Sequence, residues 1–566
     1  MTDKNLHEEI ANLKAELKRL KNGRQYGLVW EDKPEDVVLK CATDIPVLKE
    51  AKSKKIISSR KHPNNFLIEG DNYHALVVLN YTHKGKIDFI YIDPPYNTGA
   101  RDWRYNNDYV DGEDPYRHTK WISFMNHRLK LAKDLLTDDG IICVTIDDNE
   151  APRLWMLLET VFGRDNHLGT VAIRINPGGR KSKRKIALQH EYAVFFSKNS
   201  STKVSPFYVD PEDKSHKFSQ GEDGKWYEER NLRKEGQDSL ATKKDGTISD
   251  RYYPIYFDPK TGMLSVSKKL KETLFPIDTK GQKRIWRRGK EDIEKMFESG
   301  DLMLKKTKNG PQVYFRFSSD LDGETPKSFW DDKKYSASEY GTSTLDEVMG
   351  FSGSFQFPKS PYAVMDCIRV GTGKKNAVIL DFFAGSGTTG QAVMMLNHED
   401  GGSRKFILCT NNENKICEDV TYERVKKVIK GYGKKKTKMS ANLSYYKTNF
   451  VNIQNLRKIP DDAKVMVAYE AGEMIGVREN TLDEVEKNEW WQIFEGTERT
   501  TAIYFKEDKS RLAGLIEKLE KKNTPIALYI FSWGKNEYKG EYSSQNIRIE
   551  DIPEPILEVY KEINRL

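Results

Sequence analysis

Two short apolar runs that stop at conformationally restricted turns constrain this chain most. Ile87-Asp88-Phe89-Ile90-Tyr91-Ile92 runs into Asp93-Pro94-Pro95-Tyr96, and Val378-Ile379-Leu380 runs into Asp381-Phe382-Phe383-Ala384-Gly385-Ser386-Gly387. Apolar runs of this length, bounded by proline or glycine, read as buried strands. Further strand-like runs start at Phe66, Gly140, His190 and Lys405, and helical stretches fall at 72–81, 119–136 and from Thr388 onward. Strands alternating with helices predict βαβ units, an α/β fold on a mainly parallel sheet. The alternation lapses between about 200 and 350, where Lys, Asp and Gly with scattered aromatics show no sustained period. It returns and then gives way, past Gly431-Tyr432-Gly433, to a last segment with strands of its own at Thr501–Phe505 and Ile526–Phe531.

At 566 residues the chain is long enough to bury more than one core. Charged residues make up 31%, but aromatics at 11% argue against wholesale disorder. The formal charge of +8 is mild for this length, so a nucleic-acid partner must be argued from where the cations lie. Cys143 and Cys409 sit inside strand-like runs and read as small buried hydrophobes. The N-terminus lacks the apolar core of a signal peptide, and no apolar stretch approaches the roughly 20 residues of a membrane span, which points to the cytoplasm. Leu6, Ile10, Leu13, Leu17 and Leu20 repeat at heptad spacing, a seam that serves either a homodimer or docking on the chain's own domain.

Each turn has its own chemical logic. The exocyclic amine of a nucleobase is a poor nucleophile, because its lone pair is delocalised into the ring. Two acceptors aimed at its two N–H groups localise that pair and orient it. Asp93 supplies one, and a backbone carbonyl held by the fixed φ of Pro94 and Pro95 supplies the other. Tyr96 offers a flat face for a base taken out of the duplex. An ordinary strand-ending turn is the rival reading of these four residues. In the second turn, Gly385 and Gly387 allow close approach of a ligand to the backbone at the start of a helix. The spacing is neither G-x-G-x-x-G nor a P-loop, so a triphosphate is not indicated; a packing turn is the rival reading.

With both turns in hand, the chain resembles the S-adenosylmethionine-dependent amino-methyltransferases of DNA, in the permuted (beta) group where the catalytic motif precedes the cofactor motif. More narrowly it resembles the modification (Mod) subunits of type III restriction–modification systems, over roughly 60–435. The resemblance implies a Rossmann-like class I methyltransferase domain with a mainly parallel sheet, an inserted target-recognition domain and a small α/β C-terminal domain. The boundaries expected are 1–60 for an N-terminal helical arm, 61–199 for the catalytic half, 200–350 for target recognition, 351–440 for the cofactor half and 441–566 for the C-terminal domain. It implies that Asp93, Pro94, Pro95 and Tyr96 hold an adenine, and that Asp71, Asp93, Lys359, Pro361, Asp381, Phe383, Gly385, Ser386, Gly387, Thr388 and Glu413 surround S-adenosylmethionine. His190-Glu191-Tyr192 resembles a further family motif, its tyrosine expected near the flipped base. No metal is implied.

The basic clusters Arg180, Lys181, Lys183, Arg184, Lys185 and Arg284, Arg287, Arg288, the second interleaved with Trp286, suggest contacts to double-stranded DNA. The implied activity is sequence-specific transfer of a methyl group to N6 of adenine after base flipping, alone or with an ATP-dependent restriction subunit. Two alternatives stay open: the DNA-recognition subunit of a larger defence complex, and a cytosine-N4 or RNA methyltransferase.

Overall fold

The computed structural model describes residues 30–564 apart from 60, 107, 180–185, 208–217, 221–225, 244, 319–324, 435, 535–537 and 539–545. The heptad seam at 6–20 and the basic loop Arg180, Lys181, Lys183, Arg184 and Lys185 therefore lie outside the described residues. Two compact units emerge: residues 206–326, and the remainder of the chain.

The larger unit is built on a ten-stranded sheet. Its strands are β1 (Asp44–Glu50), β2 (Asn64–Glu69), β3 (Ile87–Ile92), β4 (Leu136–Ile146), β5 (His167–Arg174), β6 (His190–Ser197), β7 (Phe329–Trp330), β8 (Val378–Asp381), β9 (Lys405–Thr410) and β10 (Asn442–Asn452). They run in the order β1-β10-β2-β9-β8-β3-β4-β6-β5-β7. The stretch from β10 through β4 is parallel throughout, and antiparallel pairings appear only toward the edges. Strands covered by helices on both faces must be apolar on both, which is why β3 and β8 read as apolar runs, broken only by Asp88 and the terminal Asp381, and bury nearly every residue. Helix Asn72–Thr82 buries all its residues past Asn72, and helices Arg117–Leu135, Pro361–Gly371 and Thr388–Asp400 also pack into this unit.

The sheet reaches past two boundaries expected from composition. β1 precedes residue 60 and β10 follows residue 441, yet the whole of β1 pairs with residues 446–452 of β10. Neither run carries a motif, and β10 mixes Asn, Lys and Thr with its aromatics, so composition alone does not attach them to the sheet. Residues 327–350, expected within target recognition, instead supply β7 and helix Ser343–Met349 of the larger unit. Beyond β10, a five-stranded sheet of Asp483–Lys487, Trp491–Glu495, Thr500–Tyr504, Ile526–Phe531 and Ile547–Ile552 forms the C-terminal part of the same unit. Tyr560 closes it onto β1 by donating to the Pro46 carbonyl at 2.6 Å. Cys143 and Cys409 are fully buried. Among the described residues no helix is long and apolar enough to cross a membrane.

The smaller unit has its own core. A four-stranded antiparallel sheet joins Leu302–Thr307, Gly310–Ser318, Trp226–Asn231 and Phe218–Gln220, and a three-stranded one is centred on Ile255–Phe257. Leu232, Tyr253, Ile255, Phe257, Trp286, Ile293, Val313 and Phe315 fill the space between. Trp286 is buried in that core, its indole N–H donating to the Tyr253 carbonyl at 2.8 Å. It is therefore a packing residue, not an exposed ring among cations.

Candidate active site

β3 and β8 are parallel neighbours, with Phe89 facing Ile379 and Ile90 facing Leu380. Their C-terminal ends consequently lie at one sheet edge, the usual place for ligands in open parallel sheets. Both turns open onto a cleft of about 430 Å³ lined by Asp71, Asn72, Asp93, Pro95, Trp103, Arg104, Phe124, Phe355, Phe383, Gly385 and Glu413, among others. Residues almost three hundred positions apart thus share one cavity, within the usual size range of a small-molecule site.

The turn after β3 is held on several sides. Trp121 donates its indole N–H to the Pro95 carbonyl at 2.7 Å. Asn97 follows in the left-handed region with φ of 55° and is fully buried. Its amide donates to Glu150 at 2.5 Å and accepts from the Trp103 indole at 3.1 Å. Left-handed backbone suits Asn better than most residues. Asp93 itself is crowded on one oxygen: Oδ1 accepts from the Tyr96 hydroxyl at 2.8 Å and from the Thr145 hydroxyl at 2.8 Å, and it pairs with Lys359 Nζ at 3.2 Å. Oδ2 has no partner among the described residues. Lys359 Nζ also donates to Glu191 Oε2 at 2.5 Å and to the Tyr96 hydroxyl, and it lies 4.7 Å from the centre of the Tyr96 ring. The cation therefore sits beyond the hydroxyl edge of that ring, not over its face.

The second turn is braced from beneath. Gly385 and Gly387 have φ of +48° and +78°, where a side chain is strained. Asp381 Oδ1 accepts the Phe383 N–H at 2.9 Å, and Oδ2 accepts the Thr389 hydroxyl at 2.5 Å. Burial pushes the Asp381 carboxyl up to about 7. Arg424, fully buried, donates to Ser386 Oγ at 3.0 Å, Thr388 Oγ1 at 2.7 Å and Gln391 Oε1 at 2.9 Å. Burial lowers its guanidinium to about 9. At the far side of the cleft, Asp71 caps helix Asn72–Thr82 by accepting the Tyr73 N–H at 2.7 Å, and Arg128 reaches the same oxygen at 3.3 Å. Arg128, itself fully buried, is fixed by Glu35 at 2.7 and 3.1 Å and by Asn72 at 2.5 Å. Glu413 stands at the rim, 3.7 Å from Arg104.

Of the residues expected around a cofactor, Asp71, Asp93, Phe383, Gly385 and Glu413 line the cleft. Asp381, Ser386 and Thr388 do not; they are buried and shape the turn from behind. Gly387 likewise opens helix Thr388–Asp400 in the left-handed conformation without lining the cleft. Lys359 and Pro361 are displaced from expectation. Ser360, inserted between them, takes the N-cap position of helix Pro361–Gly371 without a capping side-chain bond, its hydroxyl donating instead to the Lys334 carbonyl at 2.5 Å. Pro361 starts the helix, and Lys359 is left to face Asp93. The His190-Glu191-Tyr192 motif is also redistributed: Tyr192 donates to Asp148 at 3.0 Å, while Glu191 meets Lys359. Glu191 was open to detection as a carboxylate inside an otherwise apolar strand. Arg128, Glu35 and Arg424 carried no such signal, since a charge on a helix or just before one reads as solvated until its packing is known.

On the smaller unit, Arg284 is committed to structure, pairing with Asp278 at 2.8 Å and donating to the Gly236 carbonyl at 2.9 Å. Arg287 and Arg288 are exposed and line a recess of about 200 Å³ with Arg230, Lys234, Arg251, Phe315 and Phe317. Arg230 lies 3.8 Å above the Phe317 ring.

A family model described as DNA methylase matches residues 87–423. Among characterised proteins, the type II methyltransferase M.KpnI of Klebsiella pneumoniae is 35% identical over 383 residues, covering 67% of this chain and 87% of that one. The type III restriction–modification enzyme EcoPI Mod subunit of Escherichia phage P1 is 30% identical over 457 residues, covering 74% and 69% respectively. The StyLTI Mod subunit of Salmonella typhimurium is 26% identical, with 66% of this chain and 57% of that one covered. Among solved structures, the cytosine-N4-specific PvuII DNA methyltransferase superposes with a TM-score of 0.31 at 12% identity over 64% of this chain and 87% of its own.

Proposed function

Because this chain belongs to the N6/N4 DNA methylase family, it is a DNA methyltransferase, and we propose that its target is N6 of adenine. The observation that carries the choice is Asp93. A carboxylate lines the cleft shared with Phe383 and Gly385, one of its oxygens held by three donors and the other without a partner among the described residues.

The cleft suits S-adenosylmethionine. Trp103, Phe124, Phe355 and Phe383 offer apolar faces for an adenine ring and for a sulfonium cation, and Asp71 and Glu413 offer acceptors for N–H and hydroxyl groups. Phe383 and Gly385 would hold the cofactor at the sheet edge, Glu413 its ribose and Asp71 its adenine. When bound, this cofactor supplies a methyl group on positively charged sulfur, activated for attack by a nitrogen lone pair. The protein's part is to orient that nitrogen. Asp93 Oδ2 accepts one amine N–H and the Pro94 carbonyl the other, and the Tyr96 ring stacks against the base. Fixed acceptors act without reorganisation, so positioning and preorganised electrostatics supply most of the acceleration.

The exposed arginines of 206–326 support DNA binding by that unit, whose place between the two motifs suits target recognition. Two of the relatives are named as subunits of type III enzymes; an ATP-dependent restriction subunit as partner of this chain, and residence in the cytoplasm, belong to the proposal. Digestion of DNA methylated by the purified chain, followed by mass spectrometry of the nucleosides, tests the reading. N6-methyladenine is expected, and N4-methylcytosine as the sole product would overturn it.

A further inference from the structure

We propose that Lys359, anchored by Glu191, is a positioning residue that fixes the Asp93 carboxylate so that Oδ2 is kept for the target amine. This rests on the reading of Asp93 given above.

A carboxylate on a single χ2 bond presents either oxygen with little preference of its own. Here the choice is made by the surroundings. Thr145 from β4, Tyr96 from the turn itself and Lys359 from the segment before helix Pro361–Gly371 all converge on Oδ1. Two of the three are neutral hydroxyls, and Tyr96 can donate its single proton to Asp93 or to Glu191, at 2.8 and 2.9 Å. Lys359 is the charged donor, and charge-assisted contacts are the stronger ones. It is also the one that ties Asp93 to Glu191.

Glu191 explains why Lys359 stays there. Its side chain is only 2% exposed, and it sits in β6 among apolar residues. Burial raises its carboxyl, and the Lys359 ammonium is the largest influence opposing that rise. A buried carboxylate without a cation is costly, so Glu191 holds the ammonium in place beside Asp93. The cleft-lining residues do not include Lys359. A lysine serving the cofactor would end in that cavity; this one ends on Oδ1 of the catalytic carboxylate.

The test uses the full chain with Lys359→Met, Lys359→Arg and the nearly isosteric Glu191→Gln. A misplaced reacting group costs on the order of 100-fold, so Lys359→Met is expected to lose about that much in single-turnover methylation rate. Its S-adenosylmethionine affinity by calorimetry should stay within about twofold, and Lys359→Arg should recover part of the rate. Glu191→Gln should lose rate in the same way, and it carries the test alone where Lys359→Met fails to give a cooperative melt. A loss of cofactor affinity that matches the loss of rate would return Lys359 to the cofactor site and overturn the inference. So would an undiminished rate in both Lys359→Met and Glu191→Gln, or in Glu191→Gln where it carries the test alone. A wild-type chain that leaves DNA unmethylated in the same assay would instead remove the activity itself.

Discussion

Asp93 and Asp381 stand at the ends of neighbouring strands, both carboxylates, with opposite employments. Asp93 keeps 27% of its side-chain surface exposed and lines the cleft, whereas Asp381 is buried with both oxygens occupied by the turn it supports. Asp93→Ala is expected to abolish methylation while S-adenosylmethionine still binds, read by product formation and calorimetry; retained turnover would remove Asp93 from the chemistry. Asp381 predicts a pH effect on stability. Its folded value near 7 lies above the unfolded value of 3.8, so the folded chain binds the extra proton. Stability is fully present below about pH 4 and is lost as pH rises through 7, an effect on the order of 4 kcal/mol if undamped by relaxation. In Asp381→Asn the amide oxygen still accepts from Phe383 and the Thr389 hydroxyl turns to accept from the amide. That variant should lose the wild type's decline in melting midpoint between pH 4 and 7; an unchanged slope would show that Asp381 does not titrate in the folded chain.

At the scale of elements, the central parallel strands were legible because a strand buried on both faces has to be apolar along its length. The two turns were legible because proline and glycine act locally, through φ. Residues that act across the fold were not. Arg128 sits on a helix with ordinary charged neighbours, and only its packing against Glu35, Asn72 and Asp71 shows that it joins three chain segments under the cleft. Lys359 was found by motif and assigned to the cofactor, because sequence gives the residue but not the direction of its side chain where a helix begins at Pro361. Gly385 tests the glycine argument directly. A Cβ there would sit at φ of +48° and 3.4 Å from the Phe355 ring. Left-handed backbone costs a side chain about 1–2 kcal/mol, so Gly385→Ala is expected to weaken S-adenosylmethionine binding about tenfold while DNA affinity holds. Equal cofactor affinity would mean the turn does not touch the ligand.

For the whole molecule, the separation of the 206–326 unit matches the lapse of βα texture in the sequence, although its limits were not readable there. Charge was legible as clusters, but how each cation is engaged was not: Arg284 is consumed by Asp278, while Arg287 and Arg288 remain exposed, Arg287 with its Nε on the Asn231 carbonyl at 3.0 Å. Each phosphate contact adds about 0.9 to the slope of log affinity against log salt. Replacing Arg287 and Arg288 together by Ala is therefore expected to reduce that slope by close to two, measured over a salt series, with cofactor affinity unchanged. An unaltered slope would place the DNA elsewhere. The pairing of β3 with β8 also has a consequence in time. These strands are neighbours in the sheet, yet about 290 residues must be synthesised between them, roughly 15–60 s at ordinary ribosomal rates. β8 and β9 fill the middle of the sheet after its flank is already made, so the exposed edge of β3 waits for its partner. The inserted unit, with a core of its own, is free to fold during that wait.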